Sequence, residues 1–345
     1  MSAPPDARDA QVRVTRSRKP QRWTAAGAVA MVVLLVYLPY LVYAGTTDTF
    51  VNFFILLTVA TMWNLLAGYA GLVSVGQQAF IGLGAYGVLF FGLQGISPFA
   101  AIPLAAVLCA VVATPLSWLL LRLGGGYFAI ATWVVADACR LLVSRSKTLG
   151  GGTGAGVTGF QGTDPTMLTA YTYWFALGVA VLSLAGTYVL LRSRLGLVLT
   201  SVRDDEVGAR SLGARVVRAK RIVFLFAAAG CGAGGALLAV SQLNVEPNSV
   251  FSVKWSALMI FVTVIGGIGS IEGPIVGTTL YFLLQESLAQ QGAWYMMVLG
   301  VVAIVVAIWV PRGLWGIVTS RIHLRPFPVG YWLRDDDPAR EEEGP

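Results

Sequence analysis

The run Ala28-Val-Ala-Met-Val-Val-Leu-Leu-Val-Tyr-Leu38 and its counterpart near the other end, Val298-Leu-Gly-Val-Val-Ala-Ile-Val-Val-Ala-Ile-Trp-Val310, hold no charge and no alternation of polar and apolar residues. A membrane β-barrel strand alternates its two faces over about ten residues. A continuously apolar run suits a helix instead, because a helix closes its own backbone hydrogen bonds and crosses the hydrocarbon core in roughly 20 residues. The fold class is therefore all-α, a polytopic transmembrane helical bundle. Composition agrees: of 345 residues 56% are hydrophobic and 12% charged, about half the roughly 25% charge of a soluble domain, with mean hydropathy +0.73. One membrane-embedded unit is expected rather than two globular domains.

Runs of the same kind place candidate spans at 24–44, 49–69, 76–93, 98–121, 126–145, 171–191, 221–243, 256–268, 273–288 and 294–310. About ten spans are predicted. Eight full spans plus re-entrant pieces is the alternative, because the two segments within 256–288 are short for a crossing.

The net charge of +7 raises the question of nucleic acid, and the placement of the charge answers it. Of 24 Lys and Arg, 6 precede Trp23, 8 lie between Arg192 and Arg221 and 5 follow Pro311. This is positive-inside topology rather than a basic nucleic-acid face. It puts the N-terminus, the 192–221 loop and the C-terminus in the cytoplasm, with six spans before the loop and four after it. The first 22 residues resemble the n-region of a signal peptide, but the apolar run behind them is too long and lacks a small-x-small cleavage site. The expected organisation is a basic cytoplasmic arm at 1–22, a transmembrane domain at 23–318 and a cytoplasmic tail at 319–345, in the cell membrane.

Catalytic and metal chemistry find no constellation here. Cys109, Cys139 and Cys231 lie in apolar runs without CxxC spacing and read as buried thiols. His323 is the only histidine, which excludes a His-based metal site or triad. Gly82-Leu-Gly84-Ala-Tyr-Gly87 matches GxGxxG inside an apolar span with no βαβ unit, and Gly150-Gly-Gly-Thr-Gly-Ala-Gly156 lacks the Lys-Ser/Thr of a phosphate loop. No cofactor is expected, and any ATP must be bound by another chain. Gly230-Cys-Gly-Ala-Gly234-Gly235 has the small-xxx-small spacing of close helix packing.

Two glycine-rich breaks interrupt the hydrophobic runs, Gly68-Tyr-Ala-Gly-Leu-Val-Ser-Val-Gly76 and Gly266-Gly-Ile-Gly-Ser-Ile-Glu-Gly273. Non-helical backbone at membrane depth survives only where protein or a polar cavity covers it, so both are candidates for lining a pathway or for tight turns. The cytoplasmic segment 201–213 reads as one short helix, with Ser201 and Asp204 as a capping box, Asp204, Asp205 and Glu206 at the positive end of the dipole and Gly213 as the left-handed stop. Its small face at Gly208 and Ala209, flanked by Arg194, Arg203, Arg210, Arg215 and Arg218, suits docking into a cytoplasmic partner or lying on anionic membrane lipid.

In Gly68–Tyr86, in Gly125-Gly-Tyr-Phe-Ala-Ile-Ala-Thr132 and Gly151-Gly-Thr-Gly154, in Arg203-Asp-Asp-Glu-Val-Gly-Ala-Arg-Ser-Leu-Gly213 and in Val264-Ile-Gly-Gly-Ile-Gly-Ser-Ile-Glu-Gly-Pro274, the chain resembles the permease subunits of branched-chain amino acid ABC importers. The resemblance runs in order over roughly 24–318. It implies that 201–213 is the coupling helix inserted into the ATP-binding subunit, with Asp204, Asp205, Glu206, Gly208, Ala209 and Gly213 as coupling residues. It also implies as partners cytoplasmic ATP-binding subunits, a second homologous permease, an extracytoplasmic substrate-binding protein and an amino-acid substrate. The family commonly carries a larger acidic residue where this chain has Asp137. Urea or short amides are the alternative cargo, and an ion-coupled secondary carrier is the alternative of another class.

Asn64, Gln77, Gln78 and Gln94 are expected to cluster at the first break, where amides can bind both ends of a zwitterion or satisfy freed backbone. Asp137, the acidic residue well inside a span, is a pathway candidate or an i,i+3 partner of Arg140. Trp63, Trp133, Trp174 and Trp294 read as interfacial anchors.

Overall fold

The computed structural model describes residues 13–15, 20–41, 44–160, 164–288, 300–301, 304, 308–310, 313–322 and 332–334. Helices make up nearly all of them: α1 (Pro20–Tyr37), α2 (Ala44–Asn64), α3 (Gln78–Gly92), α4 (Pro98–Leu120), α5 (Gly125–Arg145), α6 (Pro165–Arg192), α7 (Arg194–Asp204), α8 (Glu206–Ser211), α9 (Val216–Gln242), α10 (Pro247–Val250), α11 (Val253–Gly266), α12 (Gly273–Leu288) and α13 (Gly313–Ile322). Two short antiparallel pairs join distant segments. β1 (Arg13–Thr15) pairs with β4 (Trp332–Arg334), and β2 (Ala155–Gly156) pairs with β3 (Asn244–Val245).

Helices lie at nine of the predicted span positions; most of 294–310, with Trp294, His323 and most of the two terminal segments, lies outside the described residues. Among the described residues, six helical segments are long and apolar enough to cross a membrane: Gly45–Tyr69, Pro98–Leu120, Gly125–Arg145, Met167–Arg192, Val216–Gln242 and Pro247–Gly266. At 1.5 Å per residue α3, α11 and α12, of 15, 14 and 16 residues, reach only about 21–24 Å against the roughly 30 Å core. The chain is a multi-pass membrane protein built as an all-α bundle.

Its core is organised around α9, which packs against α2, α3, α4 and α6. The glycine spacing makes that closeness possible, and each glycine serves a different neighbour. A Cβ on Gly232 would stand 2.5 Å from Cys109 Sγ on α4, one on Gly234 2.8 Å from Val59 on α2, and one on Gly235 would overlap the Ile81 carbonyl of α3. The GxGxxG match on α3 is likewise packing, since Gly82 faces the Phe251 ring and Gly84 the Gly232 carbonyl. Cys109 and Cys231 are buried free thiols and Cys139 is partly covered. The Gly150–Gly156 segment is a structural turn with left-handed Gly150, Gly151 and Gly154, held to the α9–α10 link by the β2–β3 pair. By contrast α5 is the least covered of the long helices, presenting Tyr127, Ile130, Trp133, Val134 and Leu142 outward.

Candidate functional site

The first break begins where the α2 helix widens into one π turn, Leu65–Tyr69, and Gly71 turns the chain at φ +65°. Residues 71–77 then run without helix, and their polar groups are met from three helices and from within the segment. Trp63 Nε1 donates to the Ser74 carbonyl at 2.8 Å, the Val75 amide donates to Thr132 Oγ1 at 3.2 Å, and Ser256 Oγ donates to the Val75 carbonyl at 3.1 Å and contacts Gln78 Oε1. Gln77 Nε2 donates to Ser74 Oγ at 3.4 Å. Side chains from α2, α5 and α11 thus supply what water would supply elsewhere, as irregular backbone between apolar helices requires.

Two sequence expectations change on this geometry and a third holds. Trp63 is buried inside the bundle rather than anchored at an interface, because its indole N–H is consumed by the break. Gln94 lies beyond the far end of α3 from Gln78, since a helix of this length carries it about 22 Å away. Asn64, Gln77 and Gln78 do gather at the break, all fully buried; Gln77 Oε1 lacks a hydrogen-bond partner.

The second break closes α11 against α12. Gly267 and Gly269 take φ +125° and +79°, and Ser270 Oγ donates to the Gly267 carbonyl at 2.8 Å while accepting from the Gly273 amide at 3.1 Å. The two breaks, some 200 residues apart, are one structure. Asn64 Nδ2 donates to the Ser270 carbonyl at 2.7 Å and its Oδ1 accepts from the Gly269 amide at 2.8 Å. A Cβ on Gly68 would sit 2.5 Å from the Gly269 nitrogen, so glycine is needed there for the two chains to meet. Glu272 is buried beside them.

The 194–213 segment corrects the expected helix boundaries. Instead of one helix from Ser201 there are two, broken at Asp205, which is extended at φ −153° and ψ 105°. The cap of α7 is Ser193, whose Oγ accepts from the Leu195 amide at 3.2 Å; Ser201 sits inside that helix and donates to the Leu197 carbonyl. The cap of α8 is Asp205, which accepts from the Val207 amide at 3.0 Å. Burial of Leu199 and Val202 extends the helix N-terminally, which outweighs a local S-x-x-D pattern. Asp204 closes α7, with its side chain outside those described. Gly208 abuts the capping carboxylate, a Cβ there lying 2.6 Å from Asp205 Oδ2. Gly213 is left-handed at φ +80°, and the amides of Gly213 and Ala214 return to the carbonyls of Arg210 and Ala209. The predicted stop stands as read.

Ala209 is buried with Val202 and Val216, so the small face packs against the loop itself. What α8 and its turn present outward is Val207, 75% exposed, and Leu212, 88% exposed. Sequence reasoning passed over both, although two apolar residues in a charged loop are a signal. Glu206 joins Arg210 and Lys220, each at 2.6 Å, and the Lys220 hydrogen bond chiefly holds its carboxyl below the usual carboxylate range, helped by Arg210. Arg203, near the end of α7, donates from Nη1 to the Gly68 carbonyl at 3.1 Å.

Asp137 lies half-exposed on α5 and accepts from Arg140 Nε at 2.8 Å, the i,i+3 pair, while Arg140 also donates to Asn248 at 3.1 Å.

Residues 45–307 match the family described as branched-chain amino acid transport system / permease component. The chain is similar to the high-affinity branched-chain amino acid transport system permease protein LivM of Escherichia coli (strain K12), 30% identical over 324 aligned positions, 86% of this chain and 76% of that protein. The corresponding LivM of Salmonella typhimurium is 29% identical over the same coverage. A probable branched-chain amino acid transport permease protein LivM of Methanocaldococcus jannaschii is 21% identical, over 66% of this chain and 76% of that protein. No solved structure gives a significant match.

Proposed function

The chain belongs to the branched-chain amino acid transport permease family, and from that premise we propose that it is the membrane-spanning subunit of an ATP-driven importer for branched-chain amino acids. Substrate arrives from an extracytoplasmic binding protein, a second homologous permease completes the channel, and ATP is hydrolysed on cytoplasmic partner subunits. The bundle alternates between inward- and outward-open forms. Free energy enters only where a partner contacts the two forms differently, and the 194–213 loop is that place.

The observation that carries this reading is the pair Val207 and Leu212, exposed on a doubly stopped helix among arginines. Leaving such side chains in water gives up the burial that a groove on a partner would provide. The open face of α5, with Asp137 at its rim, suits the second permease and the route between the two. Cytoplasmic termini gain support from the pairing of β1 with β4, which sets both ends on one side and requires an even number of crossings. Asp205, Glu206, Gly208, Ala209 and Gly213 act in coupling by shaping α8 rather than by touching the partner. Asn64, Gln77 and Gln78 hold the broken helices whose rearrangement opens the route.

The test is Val207→Asp combined with Leu212→Asp, which leaves every hydrogen bond of the loop in place. Membrane insertion should be unchanged while association with the ATP-hydrolysing subunits and uptake fall together. Normal ATP-coupled uptake in that variant would refute the docking assignment.

A further inference from the structure

We propose that Arg203 is the residue that transmits movement of the cytoplasmic loop to the two broken helices. The inference rests on the coupling role proposed for residues 194–213 and adds the route by which a push on that loop reaches the bundle.

The loop has two fixed ends. On one side α8 is tied to α9 by Glu206 and Lys220, N to O 2.6 Å. On the other α7 is tied to the end of the α2 run by Arg203, whose Nη1 donates to the Gly68 carbonyl at 3.1 Å, and α7 passes so near that a Cβ on Gly71 would be 3.9 Å from Arg203 Cα. Between the ties lies a single extended residue, Asp205. A displacement of α8 therefore has one joint in which to bend before it pulls on one tie or the other.

The Arg203 tie lands where both breaks meet. Gly68 abuts Gly269, the Arg203 guanidinium lies 3.3 Å from the place of a Cβ on Gly269, and Asn64, four residues before Gly68, clamps Gly269 and Ser270. Tyr69 stands within electrostatic reach of the same guanidinium and of Glu272. An α9 helix pulled by Lys220 moves as a rod, because it runs unbroken from Val216 to Gln242. The breaks can change conformation locally, since Gly71, Gly267 and Gly269 already occupy left-handed backbone that glycine adopts without steric cost. A bond delivered there becomes a rearrangement of the ends of α2, α11 and α12 at once. Arginine fits this position because its fixed guanidinium plane gives a charge-assisted, directional bond to a carbonyl, across a gap that a point-charge ammonium would bridge less rigidly.

The experiment uses the complete assembly, this chain with its ATP-hydrolysing subunits in proteoliposomes together with the binding protein, and compares wild type with Arg203→Ala and Arg203→Met. The methionine keeps the apolar stem and removes the donor. Co-purification of the subunits, ATP hydrolysis, and amino acid taken up per ATP hydrolysed are measured separately. Assembly and hydrolysis should stay within about twofold of wild type while uptake per ATP falls by about tenfold or more, in line with losing one charge-assisted bond. Unchanged uptake per ATP in either variant would overturn the proposal. Failure of both variants to assemble, or a parallel fall of hydrolysis and uptake, would also overturn it by making the bond a requirement of folding or docking. If wild type itself shows no ATP-dependent uptake, the coupling role of the loop falls first and this inference with it.

Discussion

Replacing Asn64 with alanine separates a residue that holds the breaks together from one that touches substrate. The side chain is about 1% exposed and makes two bonds to the second break, donating to the Ser270 carbonyl at 2.7 Å and accepting from the Gly269 amide at 2.8 Å. Alanine leaves one buried acceptor and one buried donor unpaired, at about 1–3 kcal/mol each, so the expected loss is roughly 2–6 kcal/mol. Because Gly68 packs directly on Gly269, neither orphan can turn toward water without separating the chains. Reversible denaturation in nanodiscs reads the loss, with Trp63 as a reporter whose indole bonds to Ser74 in the adjoining break. Substrate KM in the reconstituted importer should change little for the fraction that remains folded. Stability within about 0.5 kcal/mol of wild type, well under the cost of one orphaned group, together with a raised KM, would refute the reasoning and put Asn64 on the route.

Gly235→Ala should destabilise by about 1–3 kcal/mol or more, since the new methyl overlaps the Ile81 backbone and helices must separate to admit it. Gly178→Ala, in the middle of α6 with nothing within 4 Å, should instead stabilise by about 0.5–1 kcal/mol; denaturation of the pair checks the sign. For Glu206, a carboxyl held below its usual range stabilises the loop at pH values above the unfolded pKa, and that contribution disappears as pH falls through the lowered folded value. Protection of α8 against hydrogen exchange, corrected for the intrinsic amide rate at each pH, should therefore stay constant from neutral pH down to about 4.3 and fall only below it, whereas Glu206→Gln should be less protected at pH 7. A loss of wild-type protection beginning near pH 6 would show that another group governs the loop.

The features legible in the sequence were those that backbone chemistry imposes locally. Apolar runs gave the helices, Gly213 gave a stop, and glycine-rich segments marked the breaks, because lipid permits no other reading of long apolar runs and only glycine tolerates positive φ freely. Side-chain partners set by the fold were not legible. Trp63 looks like any interfacial tryptophan until Ser74 is placed beneath it. Arg203 is one of five arginines near the loop until α7 lies across Gly68, 135 positions away in sequence. The S-x-x-D pattern at Ser201 misled because a second serine, Ser193, stands before the apolar spacing of Leu195, Leu199 and Val202, and burial of that stripe decides where the helix begins. Asp137 does form the i,i+3 pair with Arg140 that its spacing offers.

On the proposed function, the bundle is driven from its 194–213 loop by a separate ATP-hydrolysing subunit. The most direct test is uptake of labelled leucine, isoleucine and valine into proteoliposomes holding the purified chain, with ATP-binding subunits, second permease and binding protein added singly and together. Uptake should appear only in the complete set with ATP inside and should vanish with a non-hydrolysable analogue. Uptake by this chain alone under a proton gradient would contradict the account.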